Sequence, residues 1–276
     1  MQLTDIDRKK VQEKEVEILS EFDRLCKKHN IKYTLAGGTM LGAIRHKGFI
    51  PWDDDIDVYV LRNDFLKIRK IFPKELSSNF FYQCQKTDSD YYYPFDKIRM
   101  NNTIFEETFL SNHKINHGVF IDVFPIDAIP NNKVRRSLQY IYYRFLRIGL
   151  MSKYINIKAR KGKKKIAAQI ARIVFVFYPI KKLYDKCDSV ASKYVENLNS
   201  VDEVRNLNSV GSDGTRETYN LNDFLNLKYT PFEDKHFLIS ENADEMLKKE
   251  YGDYMQLPPV NERNTRHELV RIKLDK

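Results

Sequence analysis

Residues 35–60 read LAGGTMLGAIRHKGFIPWDDDIDVYV. Gly37 and Gly38 follow a short strand-like run, Ile31 to Leu35, and precede a helical stretch over Met40 to Arg45, so they read as a strand-to-helix turn. With no Cβ there, backbone amides and a helix N-terminus approach an anion closely. The acidic cluster Asp53-Asp54-Asp55-Ile56-Asp57 then leads into a second strand pattern, Ile56 to Val60. Side-chain direction in a strand repeats every two residues, so Asp55 and Asp57 share a face. Two carboxylates that close repel each other unless a cation neutralises them. Mg²⁺ typically takes one or two carboxylates plus substrate phosphates, so the stretch predicts a metal and a phosphate held together.

Upstream, Val11, Ile18, Phe22 and Leu25 recur at helical spacing from Asp5 to His29, and Asn30 can end that helix. Downstream, a helix is expected over Asn63 to Ile71. Strands are expected over Phe80–Cys84, Phe95–Met100 and Gly118–Phe124, near Tyr219 and near Phe237. A loop is expected over Asn206–Gly214 and a last helix over Ala243–Lys249. Helices alternating with short strands indicate an α/β or α+β sheet.

Residues 131–198 differ. Between Lys133 and Lys186 stand sixteen Lys or Arg and one acid, Asp185, on a helical pattern. Within this stretch, residues 166–180 are apolar but interrupted by Gln169 and Arg172, too short and too polar to span a bilayer. Two readings stay open for Ile173, Val174, Phe175, Val176 and Phe177: packing on the protein's own core, or docking on an anionic membrane beside the lysines. The chain reads as one catalytic domain, 1–276, carrying a basic helical insertion at about 131–200.

Across all 276 residues the net charge is +9 and 42% of residues are hydrophobic, enough for a folded core with a bias toward phosphate-bearing partners. Cys26, Cys84 and Cys187 lie far apart without a CxxC, which argues against a disulfide framework or a zinc site. The charged start lacks the order of a signal peptide, and a cytoplasmic location is expected, with peripheral contact at the inner face of the cell membrane. No RNP-like, KH-like or zinc-knuckle pattern supports nucleic-acid binding.

A Gly-Gly turn followed by an Asp-hydrophobic-Asp strand resembles the nucleotidyltransferase fold, a mixed sheet flanked by helices whose third carboxylate lies on a later neighbouring strand. Residues 118–130, GVFIDVFPIDAIP, offer Asp122 for that role, with Asp127 as the rival. More narrowly, GGTMLGAIRHKGFIPWDDDIDV is similar to the LicD family, the phosphocholine transferases of bacterial surface glycans, to which the ribitol-phosphate transferases fukutin and fukutin-related protein are similar. YPFDKIRMNNTIFEE (93–107) and KEYGDYM (249–255) extend the resemblance, to which residues 131–205 contribute little.

The resemblance implies Mg²⁺ (or Mn²⁺) on Asp55 and Asp57, with Asp122 completing the catalytic site as a further metal ligand or as base for the acceptor hydroxyl. It also implies transfer of phosphocholine, or a related phospho-alcohol, from CDP-choline or another CDP-alcohol to a glycan hydroxyl, the acceptor being lipid-linked, with CMP released. Gly37, Gly38 and Thr39 would meet the donor. Arg45 can contact phosphate or a helix end. Lys97 and Arg99 alternate on one strand face, to carry the diphosphate or to lie solvated. Trp52 can stack on a base or pack in the core. His46, and Arg263, Arg266 and His267 near the end of the chain, are further candidates. A choline headgroup suits an aromatic cage, for which Tyr91, Tyr92 and Tyr93 are available, whereas a polyol suits Asn101, Asn102 and Thr103. The alternatives are a conventional NTP-using nucleotidyltransferase and a non-catalytic basic membrane- or RNA-binding module.

Overall fold

The structure, a computed structural model, describes residues 3–208, 216–265 and 267–274. Helix α1 (Asp5–Lys28) forms where the apolar period placed it. The Thr4 hydroxyl caps it by accepting the Asp7 amide at 3.1 Å, and acids in its first turn and lysines in its last match the helix dipole. Asn30, just beyond, adopts a left-handed φ of 50°, which Asn tolerates at a helix end. Val11, Ile18, Phe22 and Leu25 are buried, and so is Glu15 on the same helix.

The chain continues as β1 (Thr34–Leu35), α2 (Gly37–Arg45), β2 (Asp57–Leu61), α3 (Arg62–Glu75), β3 (Phe80–Gln83), β4 (Asp96–Met100), β5 (Ile104–Glu107) and β6 (Phe120–Ala128). Helices α4 (Lys133–Tyr154), α5 (Gly162–Val174) and α6 (Ile180–Ala191) follow, then a 3-10 stretch over Ser192–Ser200. After these come β7 (Glu203–Arg205), β8 (Thr218–Asn220), β9 (Leu227–Phe232), β10 (Lys235–Ser240), α7 (Ala243–Tyr251) and β11 (Leu269–Lys273). The main sheet runs β1-β2-β6-β4-β3, with β7 pairing β6 and β8 pairing β7. The β2–β6 pair is parallel and the others are antiparallel, so the sheet is mixed and helix-flanked as expected.

Several boundaries move, among them those around the glycine turn and the aspartates. The first strand shrinks to Thr34–Leu35, and the helix after it starts at Gly37 rather than Met40, so the two glycines are its first turn. Gly37 makes the sharp entry with a φ of 47°. Strand β2 begins at Asp57, leaving Asp55 just outside it. Strands β5, β7, β9 and β11 have no counterpart among the expected elements; among the described residues β9 pairs β10, and β5 pairs β11. Of the expected loop over 206–214, residues 209–214 lie outside the described residues, as does Arg266.

The helical segment leaves the sheet after Ala128 and re-enters at Glu203, where Asp127 faces Arg205 and Ala128 faces Val204. Neighbouring strands thus bracket it. It builds a second apolar cluster from Tyr143, Leu146, Leu150, Phe175, Leu183 and Cys187, joined by Leu110 and Leu207. Arg62 ties it to the sheet, bonding both Asp127 oxygens at 2.6 and 3.0 Å and Asp188 at 3.1 Å. All three cysteines are buried and free. No helix among the described residues is long and apolar enough to cross a membrane.

Candidate active site

Strand register builds the site. Asp57 on β2 faces Asp122 on β6, and Asp122 faces Lys97 on β4, so three ionisable side chains form one cross-strand row. The Asp122 amide donates to the Ile56 carbonyl at 2.8 Å and the Asp57 amide to the Thr39 hydroxyl at 2.9 Å, locking the two backbones. Lys97 Nζ lies 2.8 Å from Asp122 Oδ1, over the Phe120 ring, with Glu107 at 3.8 Å. Desolvation and the charges of Asp55, Asp122 and Asp53 lift the Asp57 carboxyl well above the usual range, against Lys97. Burial raises Asp122 as well, and Lys97 pulls it back.

Asp53, Asp55 and Asp57 are half-buried whereas Asp54 and Ile56 are fully buried, an extended alternation that begins before the strand itself. The shared face expected for Asp55 and Asp57 is therefore present: both line one cleft of about 620 Å³ with Asp53, Gly37 and Gly38. A Cβ on Gly38 would lie 2.7 Å from Asp53 Oδ2, so the glycine is what lets that carboxylate close onto α2. Asp54 turns inward and meets His267 Nδ1 at 3.1 Å. Burial alone would depress His267, but Asp54, Asp55 and Glu107 outweigh it and hold its pKa at about 10. Glu15 completes the underside of the cluster with both oxygens buried and unbonded. Burial and the four aspartates Asp53, Asp54, Asp55 and Asp57 push its carboxyl well up.

The structure separates the remaining expectations. Arg45 and Trp52 line the cleft. Arg45 donates to the Tyr254 carbonyl at 2.5 Å and to His46 at 2.9 Å, while burial and that same arginine lower the His46 pKa, so His46 positions Arg45 as a neutral ring. Arg263 covers Trp52, its guanidinium 5.3 Å from the ring centroid. Thr39 does not line the cleft and serves the Asp57 amide instead. Lys97 and Arg99 do share a face, but that face is buried: Lys97 is spent on Asp122, and Arg99 bonds Gln83 at 2.6 Å and the Gly118 carbonyl at 2.7 Å. Asp122 lies one strand behind Asp57. Asp127, its rival, is fully buried in the Arg62 pair.

Neither headgroup site survives. Tyr91, Tyr92 and Tyr93 pack with Tyr154, Tyr184 and Phe95 away from the cleft, because three successive aromatics fill the seam between sheet and insertion. Asn101 and Thr103 bond the Ser78 and Met100 carbonyls. The aromatics on the cleft are Trp52, Tyr59, Phe124, Tyr251 and Tyr254. Sequence reasoning also missed Arg216, Glu217 and Glu250 there. Burial lifts the Glu250 carboxyl to about 7, with the Tyr219 hydroxyl pulling it back. Glu15 had a legible signal, a charge on the buried stripe of an amphipathic helix.

The donor set suits a hard divalent cation. Oxygens of Asp53, Asp54 and Asp55 come within 4.8 Å of one another, and Asp57 and Asp122 face each other beside them. Asp54 Oδ2 is buried without a hydrogen bond, an arrangement a cation resolves, whereas Asp122 Oδ1 is answered by Lys97.

Comparison with known proteins places the stretch that carries Asp53 to Asp57 and Asp122 inside a family match. The family profile described as LicD/FKTN/FKRP, nucleotidyltransferase domain, matches residues 30–147, from the end of α1 into α4. The chain is 29% identical over 265 residues to the lipopolysaccharide cholinephosphotransferase LicD of Haemophilus influenzae, covering 91% of this chain and 92% of that protein. An uncharacterized protein of Rickettsia prowazekii is 36% identical over 81 residues, 27% of this chain and 30% of its own.

Proposed function

We propose, from the match of residues 30–147 to the LicD/FKTN/FKRP nucleotidyltransferase profile and the 29% identity to a cholinephosphotransferase, that this chain is a LicD-type transferase moving phosphocholine, or a related phospho-alcohol, from a CDP-linked donor to a hydroxyl of a surface glycan or its lipid-linked precursor. The observation that carries the reading is the Asp57–Asp122 pair in register on two parallel strands, at the start of β2, with Asp55 beside Asp57 at the cleft. Asp55, Asp57 and Asp122 would hold Mg²⁺ or Mn²⁺, which when bound supplies charge neutralisation for the leaving and transferred phosphates.

The chain's own groups supply positioning. Arg45 and Arg216 bring guanidinium groups to the cleft for the diphosphate, and Trp52, Tyr251 and Tyr254 offer ring faces to a quaternary ammonium or a base. The acceptor oxygen attacks the phosphorus bearing the alcohol, a new P–O bond forms, the bond to the CMP oxygen breaks, and CMP departs. The acceptor proton passes to a carboxylate. Glu250, on the cleft and poised near 7, suits that task, because a base works best with a pKa near the working pH.

Incubation with CDP-choline, CDP-ribitol and CDP-glycerol in the presence of Mg²⁺, following CMP, tests the reading. CMP release that depends on a glycan acceptor and on Asp57 is expected, with CDP-choline preferred. Consumption of CTP or ATP with pyrophosphate release, the CDP-alcohols remaining inert, overturns it in favour of a conventional nucleotidyltransferase.

A further inference from the structure

Helices α4 and α5 each carry an apolar stripe on the outside. On α4, Leu138, Ile141, Phe145 and Ile148 follow at intervals of three or four residues, and on α5 Ile166, Ile170 and Ile173 do the same. That spacing puts each set on one helix face, and all seven side chains are more than half exposed. The helices' inward residues, such as Tyr143, Leu146 and Leu150, already fill the second core, so the outer stripes are surplus to folding. The turn after α5 exposes Val176, Tyr178 and, at 93%, Phe177. Only Phe175 of this run goes inside, its ring 4.9 Å from that of Phe145. Arg172 bonds the Ser152 carbonyl at 3.1 Å and Lys153 the Val176 carbonyl at 3.1 Å, holding α5 and its turn against the end of α4.

The charge around these stripes has one sign. Lys161 caps α5 and Lys163, Lys164 and Lys165 form its first turn, all exposed, and from Lys133 to Lys186 sixteen cations stand against the single acid Asp185. We propose that α4, α5 and the Val176–Tyr178 turn form a docking face for an anionic phospholipid bilayer, lying at headgroup depth without spanning it. Exposed apolar area gains by entering the acyl boundary, and the surrounding lysines gain from anionic headgroups. A second copy of the chain would bring the same positive field against this one, whereas an anionic lipid surface matches both features. The proposal goes beyond the transferase reading and uses none of its residues.

The test is flotation of the full chain with vesicles of phosphatidylcholine alone, or with about a third phosphatidylglycerol, at about 0.1 M and about 0.5 M salt. Binding is expected only to the anionic vesicles and is expected to weaken at high salt. Replacing Lys161, Lys163, Lys164 and Lys165 by Gln should weaken it on the order of a hundredfold. The double change Ile173→Asp with Phe177→Asp should weaken it at least about tenfold, with unchanged far-UV circular dichroism and melting temperature in both variants. The proposal is overturned if the folded chain ignores anionic vesicles at low salt, or binds neutral vesicles equally. It is also overturned if the wild type sediments as a dimer that the double change dissolves, which would make the face a contact between copies.

Discussion

The aspartates gathered at the sheet, Asp53 to Asp57 with Asp122, and the α4–α5 hairpin both crowd charges of one sign, and they treat them oppositely. The sheet takes Asp54, Asp122 and Asp127 out of water and sets His267, Lys97 and Arg62 against them, so burial raises the Asp122 and Asp127 carboxyls and one Asp54 oxygen stays unbonded. The insertion leaves its lysines in solvent, where repulsion is screened, and exposes its apolar residues as well. Charge density alone therefore says little about the cost of a region. What matters is whether water or another side chain answers each charge. Regions of the first kind hold chemistry and break when one partner is removed, while regions of the second kind hold surfaces and tolerate change.

The sharpest way to break this contrast is to remove a buried partner. Arg62→Ala strands Asp127 with no exposure, so a loss of about 3–5 kcal/mol in denaturant unfolding is expected. Combining Arg62→Met with Asp127→Leu should recover most of it. Near-neutral behaviour of the single variant would show that the sheet's charges are answered by water after all.

Next come the cleft carboxylates, where activity and stability should part. Asp57→Asn and Asp122→Asn each should cost about 100-fold or more in turnover. In EDTA the melting temperature of Asp57→Asn should hold or rise, because an ionised Asp57 sits among repelling neighbours. Millimolar Mg²⁺ should raise the melting temperature of the wild type and not of the variants. A variant that keeps wild-type turnover removes the carboxylate row from the mechanism.

The third expectation concerns pH. The Glu250 carboxyl is raised to about 7 from an ordinary 4.5, so the folded state holds its proton more tightly than the unfolded one. Its stabilising contribution is complete below 4.5 and is lost as pH rises through about 7. Unfolding measured from pH 5 to 8 should therefore show Glu250→Gln gaining about 2–3 kcal/mol relative to wild type. Parallel curves would count against a buried titrating carboxyl at that position.

The smallest effect belongs to the insertion. Replacing Lys161, Lys163, Lys164 and Lys165 by Gln should shift folding stability by no more than about 0.5 kcal/mol, read by the same unfolding experiment. A larger loss would mean that these cations answer something inside the protein.

Legibility in the sequence follows the range of the physics. Helix α1 and strands β2 and β6 were readable because apolar periodicity is local, and the shared face of Asp55 and Asp57 follows from backbone extension alone. Strands β5 and β11 are short and pair each other across most of the chain, so nothing nearby announces them. Alternation correctly placed Lys97 and Arg99 together but could not say that their face is buried, which depends on residues packed over the sheet, Glu107 of β5 among them. The pairing of Arg62 with Asp127 and the use of His267 under Asp54 are long-range events of the same sort.

Because Asp127 and Ala128 lie directly against Arg205 and Val204, the two ends of the helical segment meet at one rung of the sheet. Everything between them is a closed excursion whose length and content can change without altering the spacing of the strands that carry the aspartates. The architecture thus behaves like a socket, in which the helical segment can be exchanged while the strands that carry the aspartates stay in register.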